Sequence, residues 1–78
     1  MDALVFVSRG TIGRWDIYAR DPKDLLLGTI EQEDNQLLYI DAATDPLTGV
    51  NEGPYPDLDA AMRAVADRIQ GTCVKWVP

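Results

Sequence analysis

Histidine is absent from this 78-residue sequence, and cysteine occurs once, at Cys73. The missing histidine removes the commonest general base and the commonest metal ligand of proteins. A single cysteine forms no internal disulfide, and without a histidine neither Cys73 nor Ser8 has the neighbouring base that activates a nucleophile. Zinc sites use several cysteine or histidine ligands, which the chain does not offer. We therefore expect a protein that is not an enzyme and that holds no cofactor and no metal ion.

Long apolar runs are also lacking. No run of about 18 apolar residues occurs, which argues against a transmembrane helix and against a membrane partner. Residues 1–8 begin with an acid instead of a base, and their apolar stretch is too short for a secretory signal. Together with the single cysteine, these features predict a cytoplasmic location.

The bulk composition predicts one small domain that spans residues 1–78. Hydrophobic residues make up 46% of the chain, which is a usual content for a folded protein. A chain of this length buries one thin core, which suits a sheet covered by a single helix. It leaves no room for a cofactor domain beside a substrate domain.

One amphipathic helix is predicted over residues 57–70. Asp57 is placed to cap its first turn, and Gly71 is placed to take the left-handed conformation that ends it. Its apolar side chains recur at intervals of four, three and four residues, which puts them on one face. These side chains are Leu58, Met62, Val65 and Ile69. Such a stripe needs a surface to lie on, and we expect that surface to be a β-sheet.

Four β-strands are predicted before the helix. They are an apolar run at 3–7 and three segments of alternating polarity at 14–20, 25–32 and 36–43. The short turns between them predict antiparallel pairing. Residues 73–77 alternate again and form either a final strand or a tail that packs Trp76 against the core. The fold class is therefore α+β, an antiparallel sheet of four strands, or five, with one amphipathic helix packed on one face.

The alternation also predicts which side chains share a face. Trp15 and Ile17 alternate with charged residues, so we expect them in the core together with Ile40. Leu27 is expected on the face opposite Ile30, because successive side chains of a strand point to opposite sides. Both faces of the segments 25–32 and 36–43 are partly apolar, so the sequence leaves open which face packs on the helix.

Two segments are candidate edge strands. The apolar run at 3–7 and the final segment at 73–77 each have the composition of a strand that can pair across a dimer axis. We therefore expect either a monomer or an edge-strand dimer.

Charge is distributed unevenly along the chain, whose net charge is −6. Residues 24–62 hold nine acids and no base, whereas residues 1–23 have a net charge of +1 and residues 63–78 a net charge of +2. The nine acids are Asp24, Glu31, Glu33, Asp34, Asp41, Asp45, Glu52, Asp57 and Asp59. Because nucleic acid phosphates repel such a surface, we expect no direct binding to nucleic acid.

Two interpretations of this acidic segment stay open. Acids in turns and helix caps make a solvated surface that keeps a protein soluble, and Asp24, Asp34 and Asp45 suit such positions. Alternatively, two strands and their loops present a face of one sign, which steers a basic partner at long range. The residues predicted to line that face are Glu31, Glu33, Asp34, Asp41, Asp45 and Glu52. The partner predicted for it is the basic surface of a nucleic-acid-handling protein.

Small size, acidic charge, a few strands with one helix and the lack of catalytic residues together resemble the phage-encoded inhibitors called anti-CRISPR proteins. The resemblance covers size, charge and architecture and involves no sequence motif. Several members of that broad group occupy DNA-binding surfaces by presenting acids where phosphates would lie. The resemblance implies a phage inhibitor that acts as a DNA mimic on a bacterial CRISPR-type defence complex in the host cytoplasm.

A second resemblance implies a different function. The segments Trp15-x-Ile17, Leu27-Gly-Thr-Ile30 and Gly53-x-Tyr-x-x-Leu-Asp-x-Ala-Met62 are similar in layout to integrase arm-type DNA-binding domains, which read DNA with a basic sheet face. The bases available for that role lie on the first predicted hairpin, at Arg9, Arg14, Arg20 and Lys23. The alternatives to a DNA mimic are therefore a small DNA-binding domain and a protein-interaction domain of unspecified partner.

Overall fold

The computed structural model describes residues 1–8, 12–21 and 24–76, which form a five-stranded sheet with one helix on one face. The elements in chain order are β1 (Ala3–Val7), β2 (Arg14–Ala19), β3 (Leu26–Gln32), β4 (Leu38–Ala42), a 3₁₀ turn (Asp45–Leu47), α1 (Leu58–Ile69) and β5 (Cys73–Lys75). The predicted α+β class is confirmed, and residues 73–75 do form a final strand. Val77, the end of that predicted segment, lies outside the described residues.

The sheet is mixed, with the strand order β4-β3-β2-β1-β5. Neighbours among β1 to β4 are antiparallel, as their short connections predict. The fifth strand departs from the prediction, because β5 runs parallel to β1. After β4 the chain reverses and runs back along the outer edge of that strand. It then crosses the sheet as α1 and reverses again, so β5 runs in the same direction as β1.

The segment that leads into α1 closes one edge of this sheet. Leu38 exchanges two backbone hydrogen bonds with Tyr55, at 2.9 and 2.8 Å, and the Ile40 N–H donates to the Glu52 carbonyl oxygen at 2.9 Å. At the other side, β1 lies between β2 and β5. The prediction of an edge strand at 3–7 is therefore wrong, because β5 docks beside β1 and takes the edge position itself.

The core lies between α1 and the sheet, as the helical stripe predicts. Met62, Val65 and Ile69 are buried there, Ala61 is buried beside them, and Leu58 packs against the core half-buried. Buried residues of the four antiparallel strands face them: Ala3, Val5, Ile17, Ala19, Leu27, Ile30, Leu38 and Ile40. Trp15 packs against this core half-buried instead of entering it fully.

A β-bulge in β3 decides which residues of that strand reach the core. Ile17 pairs with Gly28 but Tyr18 pairs with Leu26, so Leu27 has no partner on β2. The extra residue turns Leu27 toward the helix, and both Leu27 and Ile30 are fully buried in one core. The prediction that these two side chains lie on opposite faces is wrong, because the bulge shifts the alternation by one residue.

The ends of α1 agree only in part with the prediction. Asp57 caps the first turn, since its Oδ1 accepts a hydrogen bond from the Ala60 N–H at 2.8 Å. At the other end, Gln70 and not Gly71 takes the left-handed conformation, with φ 55° and ψ 50°. Gly71 serves a different purpose, because a Cβ atom there would collide with the Met1 carbonyl group. A close approach of two chain segments therefore requires glycine at position 71.

Candidate functional site

The sheet face turned away from α1, which we call the open face, carries no helix in the described part of the chain. Paired residues of neighbouring strands place their side chains next to one another on this face, so the side chains form rows across the strands. Phe6 lies beside Asp16, Asp16 beside Thr29, and Thr29 beside Asp41, so one row crosses from β1 to β4. The row changes from an aromatic ring at one end to a carboxylate at the other.

An aromatic cluster occupies the β1 and β5 side of the open face. Phe6 makes an edge-on contact with Tyr18, with ring centroids 5.6 Å apart and the planes at 85°. Trp76 lies against Phe6 at 5.8 Å. Phe6 and Tyr18 are half-buried, whereas Trp76 is 47% exposed and the neighbouring Val74 is 48% exposed. Nearly half of the indole is therefore available to a binding partner.

Charged groups share the open face next to this aromatic cluster. Arg14 lies between two acids, with Nε 3.9 Å from Asp16 Oδ1 and Nη1 3.8 Å from Glu31 Oε1. Asp16 also accepts a 2.9 Å hydrogen bond from the Ser8 hydroxyl. Arg14 and Glu31 are exposed and the Asp16 side chain is 28% exposed, so water screens both ion pairs and each contributes little to stability. Arg14 offsets part of the local negative charge.

The six acids predicted to bind a partner are all exposed: Glu31, Glu33, Asp34, Asp41, Asp45 and Glu52. The structure brings two of them, Glu31 and Asp41, onto the open face, on the neighbouring strands β3 and β4. Glu33 and Asp34 lie in the turn that joins these strands. The arrangement is therefore a pair of carboxylates on the sheet with two more at one end of the hairpin.

The remaining two predicted residues lie apart from this group. Asp45 is in the 3₁₀ turn that follows β4, at the end of the hairpin away from Glu33. Glu52 belongs to the segment that pairs with the outer edge of β4. The six acids thus border the β3–β4 hairpin on its face, both ends and its edge, and they do not form one straight row.

The turn at the tip of this hairpin is well ordered by hydrogen bonds. The Gln36 N–H donates to the Glu33 carbonyl oxygen at 2.8 Å, and the Leu37 N–H donates to the Asn35 side chain at 3.0 Å. Gln36 has a φ of 71°, a conformation seldom taken by residues other than glycine and asparagine. These bonds fix the backbone from which Glu33 and Asp34 extend into solvent.

The bases of the first hairpin are not gathered into one site where the structure describes them. Arg9 and Lys23 lie outside the described residues. Arg14 begins β2 and Arg20 follows its last residue, so their Cα atoms are roughly 20 Å apart at about 3.3 Å per residue. Arg14 is already in contact with two carboxylates. Within the described residues, Arg14 and Arg20 therefore do not form a joint basic face.

The two candidate nucleophiles, Cys73 and Ser8, lie in largely buried surroundings. Burial raises the pKa of Cys73 to about 11, so the group is a neutral thiol near pH 7. The Ser8 side chain is buried and its hydroxyl donates to Asp16. Within residues 1–8, 12–21 and 24–76, no three acidic or cysteine side chains come together in the way that a metal ion requires.

The sequence did not indicate the aromatic cluster. The run at 3–7 is apolar at nearly every position, so alternation could not show that Phe6 faces away from the core. Only the register of β1 and β2 shows that Leu4 and Phe6 lie on the same face of the sheet as Tyr18. Trp76 joins them through the pairing of β5 with β1, which connects distant parts of the chain.

Comparison of the chain with protein-family models, with curated proteins and with solved structures finds no match. In the described part of the chain, no helix combines the length and the apolar character needed to cross a membrane. Function is therefore inferred from the chemistry of the surface.

Proposed function

We propose that this protein is a non-enzymatic, acidic binding module that occupies a basic, nucleic-acid-binding surface of a partner protein. The observation that carries the proposal is the border of six exposed acids around the β3–β4 hairpin, in a stretch of chain, 24–62, that contains no Lys or Arg. Of these six acids, Glu31 is the one in contact with a base among the described residues.

The proposed mechanism is electrostatic occupation of a groove. A net charge of −6 on a small protein produces a long-range field that raises the rate of encounter with a basic surface. At close range, Glu33 and Asp34 on the ordered turn enter the groove at positions that phosphates would occupy. The β3–β4 hairpin holds the backbone of these residues at fixed spacing, so little backbone entropy is lost on binding.

The class of partner follows from the resemblance to anti-CRISPR proteins. A bacterial CRISPR-type defence complex contains basic channels for nucleic acid, and we propose such a complex as the target of this chain acting as a phage inhibitor. Occupation of a channel would prevent DNA from binding without any chemical reaction.

Competition with DNA tests the proposal. The tagged protein is used to isolate its partner from the cells that express it or from their host, and the partner is then titrated with a short labelled duplex. We expect the protein to displace the duplex from the partner and to leave the duplex alone when the partner is omitted. Direct retardation of the duplex by this protein, weakening steeply with salt, would instead support the DNA-binding alternative.

Two charge-reversed variants locate the surface. The first replaces Glu31, Glu33, Asp34 and Asp41 with Lys, and we expect it to lose about tenfold or more in affinity for the partner. The control replaces four exposed acids outside the hairpin, Asp21, Asp24, Asp59 and Asp67, with Lys and so has the same net charge. Retention of full affinity by the first variant, or equal losses in both, would show that the hairpin acids do not form the binding surface.

A further inference from the structure

The open face has a feature that the acidic border does not explain, namely the aromatic cluster of Phe6, Tyr18 and Trp76. We propose that this cluster, together with Asp16 and Asp41, binds an arginine-bearing segment of the basic partner. The inference rests on the proposed function and specifies it further. It adds a contact on the open face of the sheet to the close contacts made by Glu33 and Asp34 at the hairpin tip.

The chemistry of the open face matches a guanidinium group. Phe6 on β1 lies directly beside Asp16 on β2, so an aromatic and an acidic side chain start from backbones about 5 Å apart, the spacing of adjacent strands. A guanidinium group stacks on an aromatic ring and donates to a carboxylate with the same planar group. An ammonium group is compact and strongly hydrated, and it cannot combine the two contacts as well.

The exposed part of the aromatic cluster offers an apolar surface to such a segment. Trp76 is 47% exposed and Val74 is 48% exposed, and both flank Phe6 and Leu4 on the β5 side. The aliphatic stem of an arginine would cover these apolar surfaces while its head reaches Asp16. Further along the same row, Thr29 and Asp41 offer a polar path and a second carboxylate for the next basic residue.

Charge complementarity favours a cationic segment over a second copy of this chain. Within the described strands, the open face carries three acids, Asp16, Glu31 and Asp41, against one base, Arg14. Two such faces brought together would place like charges opposite one another at a cost in free energy. A segment rich in arginine removes this repulsion and covers the aromatic surface at the same time.

Backbone NMR of the full chain with two peptide probes tests the inference. The probes are a nona-arginine peptide and a nona-lysine peptide, which have equal length and equal charge. We expect the arginine peptide to shift the resonances of β1, β2 and the Trp76 indole N–H most strongly. We also expect it to bind roughly threefold to tenfold more tightly than the lysine peptide, as the stronger stacking of a guanidinium predicts.

A pair of variants separates the aromatic contact from stability. Trp76→Ala should weaken binding of the arginine peptide by about threefold to tenfold, and Trp76→Phe should recover most of it. Val7→Ala is the matched control, because Val7 is 68% exposed but points away from the open face, and it should leave the affinity unchanged. Amide spectra of all three variants check that the fold is retained.

The other outcomes are distinguishable. Shifts confined to the turn at Glu33 and Asp34, with no loss in Trp76→Ala, would overturn the inference and leave the proposed function intact. No binding of either peptide at low salt would contradict both. Shifts on the open face that depend on protein concentration, without any peptide, would identify a second copy of the chain as the occupant and overturn the inference.

Discussion

The carboxylate of Asp2 accepts two hydrogen bonds from a single residue, Thr72, through the backbone N–H at 3.1 Å and the hydroxyl at 2.8 Å. The Ala3 N–H in turn donates to the Thr72 carbonyl oxygen at 2.7 Å. These three bonds join the start of β1 to the start of β5. They fix the register of the one parallel pair in the sheet, which has no hairpin turn to set it.

This arrangement predicts a specific dependence of stability on pH. The hydrogen bonds from Thr72 lower the pKa of Asp2 below its usual 3.8. A carboxyl group whose pKa is depressed by folding stabilises the native state above its unfolded pKa, and this contribution is lost as the pH falls through the folded value. We expect Thr72→Val to reduce stability near neutral pH and to flatten the stability profile below about pH 4.

Urea unfolding at a series of pH values measures the effect. Thr48→Val is a suitable control, because the Thr48 hydroxyl donates to a backbone carbonyl, that of Thr44, and to no carboxylate. It should shift stability without changing the shape of the acid profile. Identical profiles for Thr72→Val and the natural protein would show that Asp2 makes no contribution.

Gly28 is expected to tolerate no side chain. A Cβ atom there would lie 2.7 Å from Leu47 Cδ2 and would collide with the Asp41 carbonyl group, both next to the bulge that buries Leu27. Gly28→Ala should therefore lower the free energy of unfolding by about 1–3 kcal/mol, the usual cost of overpacking. Chemical denaturation gives this value directly, and an unchanged midpoint would show that the bulge has room to relax.

Val65 and Ile69 should each contribute a large share of the stability. Both are buried where α1 meets the sheet, at 0% and 8% exposure. Truncation of either to Ala leaves a cavity in a thin core and should cost roughly 2–4 kcal/mol. Val7→Ala, at a 68% exposed position, should cost much less. Comparable losses at positions 7 and 65 in thermal or chemical unfolding would contradict the proposed core.

Cys73 should react slowly with alkylating reagents. Burial raises its pKa from 9.0 to about 11, so the reactive thiolate is scarce in the native protein near pH 8. Because folding favours the neutral thiol, its contribution to stability is present below pH 9.0 and is lost as the pH rises toward 11. Iodoacetamide labelling in native buffer and in denaturant provides the comparison. Equal rates in the two conditions would contradict the burial of Cys73.

The sequence predicted most accurately the elements whose signals are local. The stripe of Met62, Val65 and Ile69 has a helical period, and Asp57 has the side chain of an N-cap, so the helix was found with its correct face. Three of the four antiparallel strands follow from alternation, β1 follows from its apolar run, and their pairing follows from the short turns. All of these depend on residues that are close together in the sequence.

The features that could not be predicted depend on contacts between distant residues. The parallel pairing of β5 requires knowledge of the path of α1 across the sheet. The requirement for glycine at position 71 comes from the backbone of Met1 and not from the helix end. The bulge at Leu27 changes the alternation by one residue, and its one local sign is Gly28, since a glycine inside a strand often lies at a bulge.

The candidate site was also predictable only in part. The acidic segment was visible because the absence of bases from 24–62 is a property of the sequence itself. The division of its members between the open face, where Glu31 and Asp41 lie, and the ends of the hairpin required the register of β3 and β4. That these residues bind a partner stays a prediction.

The pairing of β5 with β1 has a consequence for the order in which this protein assembles. Asp2 and Thr72 are 70 positions apart, so their contact closes a loop that includes almost the whole chain. Such long-range contacts form late in folding, because the entropy of the loop must be lost before the contact is made. Trp76 reaches Phe6 only once β5 has docked, so we expect the aromatic cluster to be completed as one of the last events of folding. Its indole fluorescence would then follow a slower phase than the formation of α1, and amide exchange in β5 would report each reopening of the cluster.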